Sequence, residues 1–216
     1  MTGILLLGLG ALLLIGGRSG GSSTTTSPAP GPYYPPSDPY VPTPAGSPGG
    51  SQIDRLAVAF AKNGITDFYP EEFLTLRKWG RVVEAPVEYE PNIVNIAIFA
   101  QELRNRLGFP LAIKNGYRSP DYNAAVSGAK NSSHLRAAAI DIEPLSVYGT
   151  SENDRRLEIE GAKMWLQYPD RLAGLGVYGG GRIHLDVFHP GGLGRRTWAD
   201  KTASTVQAAK IELGMA

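Results

Sequence analysis

The chain has 216 residues, a formal net charge of +1 and no cysteine. That length holds one domain with a proper core and is short for two, and the near-zero charge offers no basic field for nucleic acid. Without cysteine there are no disulfides, thiolate metal sites or cysteine nucleophiles, so any metal must be held by the three histidines and by carboxylates.

The chain opens with "MTGILLLGLGALLLIGG", an apolar segment over residues 1–17. As a helix its roughly 16 apolar residues reach about 24 Å, short of a bilayer core of about 30 Å. It reads first as an uncleaved membrane anchor, with a cleaved signal segment or a segment buried in an assembly as alternatives. The basic start of a signal is missing, Arg18 follows the run, and no clear small-x-small cleavage site comes after it. Residues 18–51 are rich in Gly, Ser, Thr and Pro and bury too little apolar surface to offset chain entropy, so they read as a disordered or polyproline-like linker. Tyr33, Tyr34 and Tyr40 within it read as spacer residues, with stacking points for a partner as the alternative.

Residues 52–216 have the composition of a folded domain. Ser51 caps an amphipathic helix whose apolar positions are Ile53, Leu56, Ala57 and Phe60, ending at Asn63-Gly64. "YPEEFLTLRKWG" reads as a second short helix, with Pro70 at its start and Gly80 past its end. The strongest helical pattern is "EPNIVNIAIFAQELRNRLGF", with Ile93, Ile96, Ala97, Ala100, Leu103 and Leu107 on one face and Gly108 as the stop. "PLAIKNGYRS" reads as a strand running into a turn, and "AAAIDIEP" as a buried strand interrupted only by Asp141 and Glu143. "NDRRLEIEGAKMWLQYP" predicts another helix, ended by Pro169, and "GLGVYGGGRIHLDVFHP" a strand with a glycine-rich lead-in. Helices first, then strands with one long helix between them, predict an α+β fold with a small, mostly antiparallel sheet.

The chemistry collects in the second half. His134 and Asp141 are separated by a short apolar run, and His184 and Asp186 are two apart on a strand, hence on one face. A buried imidazole beside a buried carboxylate is unusual unless something cationic sits there. Taken singly, His134 is a loop or capping residue, Asp141 a turn cap or a partner for Arg, and His184 a surface strand position.

Together they carry a resemblance. "SSHLRAAAID" resembles the Ser-x-His-x-x-Gly-x-Ala-x-Asp signature of the zinc D-alanyl-D-alanine carboxypeptidases, whose fold is shared with Hedgehog signalling domains. Ser132, His134, Ala139 and Asp141 fall on its fixed positions, and Ala137 stands where the family usually has Gly. "NGYRSPDYN" resembles the family's Gly-Tyr-Arg-Ser segment, "IHLDV" its closing His-x-Asp strand, and "RRTW", ending at Trp198, its Arg-x-x-Trp sequel. The resemblance implies a Hedgehog/DD-peptidase-like domain with zinc held by His134, Asp141 and His184 and a position left open for water. It also implies that Arg118 steadies the substrate carbonyl and the oxyanion formed on it, and that Tyr117, Ser119 and Ser132 contact substrate.

The expected general base is absent, since Gly181 stands where many relatives have an acid three residues before the last His. Asp186 is the first candidate for that proton transfer and Glu143 the second; the rival roles of Asp186 are to accept a ring N–H from a zinc histidine or to serve structure alone. His189, followed by Pro190, reads as a loop residue, with substrate binding as the alternative. The implied activity is hydrolysis of amide bonds in peptidoglycan stem peptides or cross-links. The expected setting is a monomeric catalytic domain held at the cell envelope, in the periplasm or outside the cell, by its apolar N-terminus; a phage particle or lysis protein fits equally. The alternative is a non-catalytic zinc-bearing module of the same fold, or a structural protein of a virion or envelope.

Overall fold

The computed structural model describes residues 50–215; the apolar segment 1–17 and the linker up to its last two residues lie outside the described residues. Helix α1 (Gln52–Lys62) begins with a reciprocal cap: the Ser51 hydroxyl accepts from the Asp54 N–H, and the Asp54 carboxylate accepts from the Ser51 N–H. Its buried Gln52 donates to the Ala85 carbonyl and accepts from the Ala85 N–H, which stitches the start of the domain to the loop before α3.

Helix α2 (Pro70–Leu74) is shorter than the sequence predicts. Thr75 leaves the helix for extended backbone, and β1 (Thr75–Leu76) pairs with β2 (Arg81–Val82) around a single helical turn closed by Gly80 at φ 61°. Buried Leu76 anchors this small hairpin, so tertiary packing overrides the helical pattern there. Helix α3 (Glu90–Leu107) stops at left-handed Gly108, as the sequence predicts. Helix α5 (Ser151–Gln167) starts from Thr150, whose hydroxyl accepts from the Asn153 N–H, after the short α4 (Pro120–Ala125).

The larger sheet has five strands: β3 (Leu111–Asn115), β4 (Ala139–Pro144), β5 (Leu172–Gly179), β6 (Arg182–Val187) and β7 (Arg196–Trp198). Their order is β3-β4-β6-β5-β7, antiparallel except for the β5–β7 pair. The glycine-rich stretch read as the lead-in to one strand is itself β5, turned into β6 by Gly179, Gly180 and Gly181, all at positive φ. Helix α6 (Thr202–Glu212), which the sequence pattern does not signal, packs on α5 and β5. The fold is therefore α+β, with a two-stranded antiparallel hairpin and a mixed sheet packed by helices.

Alternation along these strands separates two faces. Ile113, Ile142, Ile183 and Val177 pair across one row, and Ile140, Leu185 and Leu175 across another; all are fully buried in the core with residues of α3 and α5. The residues between them point the other way and build the site.

Candidate metal centre

One register row crosses the whole sheet on that second face. Asn115 pairs with Asp141, Asp141 with His184, His184 with Gly176, and Gly176 with Trp198. The next row joins Ala139, Asp186, Gly174 and Arg196. His134 comes from outside the sheet, on a helical turn (Ser133–Arg136) that the backbone ties down: the Arg118 N–H donates to the His134 carbonyl at 3.0 Å.

Three ligand atoms converge. Asp141 Oδ1 lies 3.4 Å from His134 Nε2 and 3.0 Å from His184 Nδ1, and the three groups fall within 4.8 Å of one another. Zinc bonds of about 2.0–2.1 Å put tetrahedral ligand atoms about 3.3–3.4 Å apart; both distances from Asp141 Oδ1 are close to that.

Each ligand is oriented from behind. His134 Nδ1 donates to the Gly116 carbonyl at 2.6 Å, which leaves the Nε2 lone pair facing the cluster. That Nε2 is buried and has no hydrogen-bond partner among the described residues, an orphaned acceptor that a cation satisfies. Burial lowers the His134 pKa against the pull of Asp141, which favours the neutral, ligating imidazole. His184 lies between two carboxylates, Nε2 3.0 Å from Asp186 Oδ2 and Nδ1 3.0 Å from Asp141 Oδ1; with a cation in the cluster, Nδ1 would ligate and Nε2 would donate to Asp186. Burial pulls the His184 pKa down, but the hydrogen bonds to Asp141 and Asp186 outweigh it and the net direction is up. A proton and a metal thus compete for Nδ1. Asp141 Oδ2 accepts from Asn115 Nδ2 at 2.9 Å and from an Arg118 terminal nitrogen at 2.7 Å. With Oδ2 so engaged, Asp141 offers one oxygen. Burial would raise its pKa, yet the two imidazoles hold it well below the usual carboxylate range.

The other sequence-predicted residues fall in different places. Arg118 lines the cleft, but its guanidinium is turned onto Asp141. Asp186 is fully buried behind the His184 ring, where Oδ2 also accepts from Arg196 at 2.5 Å, and it is not among the residues lining the cleft. Ser132 lies at the mouth of the cleft. The Ser119 hydroxyl accepts from the Tyr122 N–H as the cap of α4, and Tyr117 is buried at a neighbouring groove. Gly181 is excluded as the seat of an acid, because its φ is +69° and a Cβ would fall 2.2 Å from Asp154 Oδ1. His189 sits in the loop after β6, its Nε2 3.4 Å from the Ser133 hydroxyl. Asn115, Arg196 and Tyr178 also join the site, and the sequence does not single them out. Asn115 and Arg196 act through partners on other strands, which only the register reveals.

The cleft over the cluster holds about 520 Å³ and is walled by Arg118, Ser132, Tyr178, Arg196 and Trp198. Among the described residues that line it, Asp141 is the sole carboxylate. Trp198 stands edge-on to His184, ring centroids 4.8 Å apart. β5 is cut away to admit these groups: a Cβ at Gly174 would lie 2.4 Å from the Asp186 carboxylate, and one at Gly176 2.8 Å from the Trp198 indole.

A metal centre of two imidazoles and one carboxylate, open to a cleft, has the make-up of a catalytic zinc site. The family model described as Peptidase M15 matches residues 67–162, so this segment is similar to the M15 zinc peptidases, the D-alanyl-D-alanine carboxypeptidase-type group. No curated protein matches the chain, and no solved structure matches it. The matched segment contains His134 and Asp141 and stops short of His184; the pairing of β6 with β4 brings in the third ligand. M15 peptidases depend on zinc, and the buried His134–Asp141–His184 group fits that ion.

Proposed function

We propose that the domain hydrolyses amide bonds in peptidoglycan stem peptides or cross-links. The observation that carries the peptidase reading is the convergence of His134 Nε2, Asp141 Oδ1 and His184 Nδ1 at the floor of an open cleft. Zinc bound there supplies Lewis acidity for water activation and carbonyl polarisation. The protein's own part is orientation. Gly116 fixes the tautomer of His134, Asp186 fixes that of His184, and Asn115 with Arg118 holds the outer oxygen of Asp141. Asp186 is thereby a positioning residue, braced in turn by Arg196. The peptidoglycan substrate rests on the resemblance of the three sequence motifs to D-alanyl-D-alanine carboxypeptidases.

Zymography on purified sacculi, with and without a chelator, tests this. Clearing that chelation abolishes and zinc restores is expected; stoichiometric zinc with no clearing of sacculi and no cleavage of stem peptides would defeat it. A second reading, a zinc-bearing binding module, is favoured by the lack of any further carboxylate among the described residues of the cleft, and that negative result would establish it. For the setting, we propose the cell envelope or a phage particle, with residues 1–17 as the attachment. No described helix is long and apolar enough to cross a membrane. Fractionation of the full chain against a protein beginning at Ser51 checks this: loss of surface attachment with activity on small peptides intact is expected.

A further inference from the structure

Strand β5 has a stepped profile on the metal face. Gly174 and Gly176 leave room for Asp186 and Trp198, and the next residue of that alternation, Tyr178, is the first with a side chain to offer. Tyr178 is half exposed and lines the same cleft as His134, Asp141 and His184. Trp198 Nε1 donates to its hydroxyl at 3.0 Å. An indole N–H only donates, so Tyr178 cannot return its own proton to Trp198, and no acceptor among the described residues takes it. The phenol is therefore held by one lone pair with its O–H left to the cleft. Trp198 is itself seated, between the His184 ring and the space left by Gly176.

Amide hydrolysis builds negative charge on the carbonyl oxygen, and a donor aimed at that charge is worth about 10²–10³ in rate. Arg118 is the donor that the family resemblance implies; one of its terminal nitrogens is taken by Asp141 Oδ2, and Tyr178 offers a second donor in the same lining. Tyr178 is the cleft's phenol with an unassigned proton. We propose that Tyr178 is a catalytic residue whose hydroxyl, oriented by the Trp198 N–H, donates a hydrogen bond to the oxyanion that forms on the scissile carbonyl. The inference rests on the peptidase reading above. As the water oxygen bonds to the carbonyl carbon, the C=O π pair moves onto the oxygen that Tyr178 holds. When that pair returns, the C–N bond breaks and the amine leaves with a proton from the attacking water. The phenol keeps its proton throughout.

The test uses the zinc-loaded full chain and its Tyr178→Phe and Trp198→Phe variants, with two readouts. In turnover of a stem peptide, Tyr178→Phe is expected to lower kcat about 100-fold with KM within about twofold. Trp198→Phe keeps a ring against His184 and removes only the N–H, so it should cost less. The double variant should be no slower than Tyr178→Phe alone, because the two act as one unit. The second readout is calorimetric binding of a phosphinate peptide, which mimics the tetrahedral oxyanion. Its affinity should fall by a factor similar to kcat in Tyr178→Phe, while a planar, uncleavable peptide binds as to the unaltered protein. Zinc content and thermal midpoint should not move, as they would if Tyr178 served structure alone. Unchanged kcat and unchanged phosphinate affinity in Tyr178→Phe would overturn the assignment. If the unaltered protein cleaves no peptide, the functional reading fails by itself, and the phosphinate affinity ratio still decides the role of Tyr178. No phosphinate binding by the unaltered protein overturns both.

Discussion

The two faces of the five-stranded sheet are made by the same strands, one residue out of step. On one face Ile140 pairs with Leu185, and Ile142 with Ile183; on the other Asp141 pairs with His184, and Ala139 with Asp186. The apolar face has no polar group to satisfy, and its worth scales with the area removed from water. The polar face buries charge, and each charged group there is braced by a second partner: Asn115 and Arg118 for Asp141, Asp186 for His184, Arg196 for Asp186. Stability and metal binding therefore occupy alternate residues of the same strands, and substitutions one position apart should have different consequences.

The largest effect belongs to the ligands. His134→Ala or His184→Ala should remove the zinc and all activity together, read by metal analysis of the purified protein and a stem-peptide assay. Stoichiometric zinc in the double variant would break the assignment of the polar face. On the apolar face, Ile140→Ala should cost about 2–5 kcal/mol in a urea melt, while the fraction still folded keeps its zinc. If zinc affinity falls in step with stability, the two faces are coupled and the separation is too sharp.

A smaller effect distinguishes the two roles open to Asp186. As a partner of His184 Nε2, Asp186→Asn should weaken zinc about 10–100-fold, and added zinc should restore most of the rate. A loss of about 10²–10⁴ in rate with zinc still bound would return proton transfer to Asp186. Its burial behind the ring, away from the cleft, argues for the first outcome.

Much of this division is legible in the sequence where a period is long enough to read. The 3.6-residue pattern of α3 and the Gly108 stop predict that helix at both ends. His134, Asp141 and His184 stand out because polar residues interrupt apolar runs. What escapes is set by partners distant in sequence. Glycines 174 and 176 read only as the lead-in to a strand, yet they lie within β5, where Asp186 and Trp198 occupy the space their side chains would fill. The spacing of His184 and Asp186 fixes a shared face, but which ring nitrogen meets which carboxylate follows only from the pairing of β4 with β6. Helix α6 has no distinct apolar stripe to announce it, and buries only Thr202, Thr205 and Ala209. Tyr178 gives no local signal, since its role depends on an indole of the neighbouring strand β7.

The smallest expected effect lies off both faces and serves as their control for pH. Glu72, in the first turn of α2, accepts from the Tyr69 N–H at 3.0 Å, and burial raises its carboxyl pKa from 4.5 to about 7. A folded-state pKa above the unfolded one means the native protein holds this proton longer. The contribution is fully present below pH 4.5 and is lost as pH rises through about 7. A pKa difference of one between the folded and unfolded states corresponds to about 1.4 kcal/mol at most, and partial solvent access to the side chain lowers the total to about 1–2 kcal/mol. Glu72→Gln keeps an oxygen for the Tyr69 N–H and removes the ionisation. Below pH 4.5 it should melt like the unaltered protein, and above pH 7 it should be the more stable of the two. Urea melts of the zinc-free protein at both ends of that range read the difference directly, with no contribution from the ion. If the variant gains nothing at pH 8, Glu72 ionises freely in the folded state, and any pH dependence of stability between 5 and 8 must come from the histidines of the polar face instead.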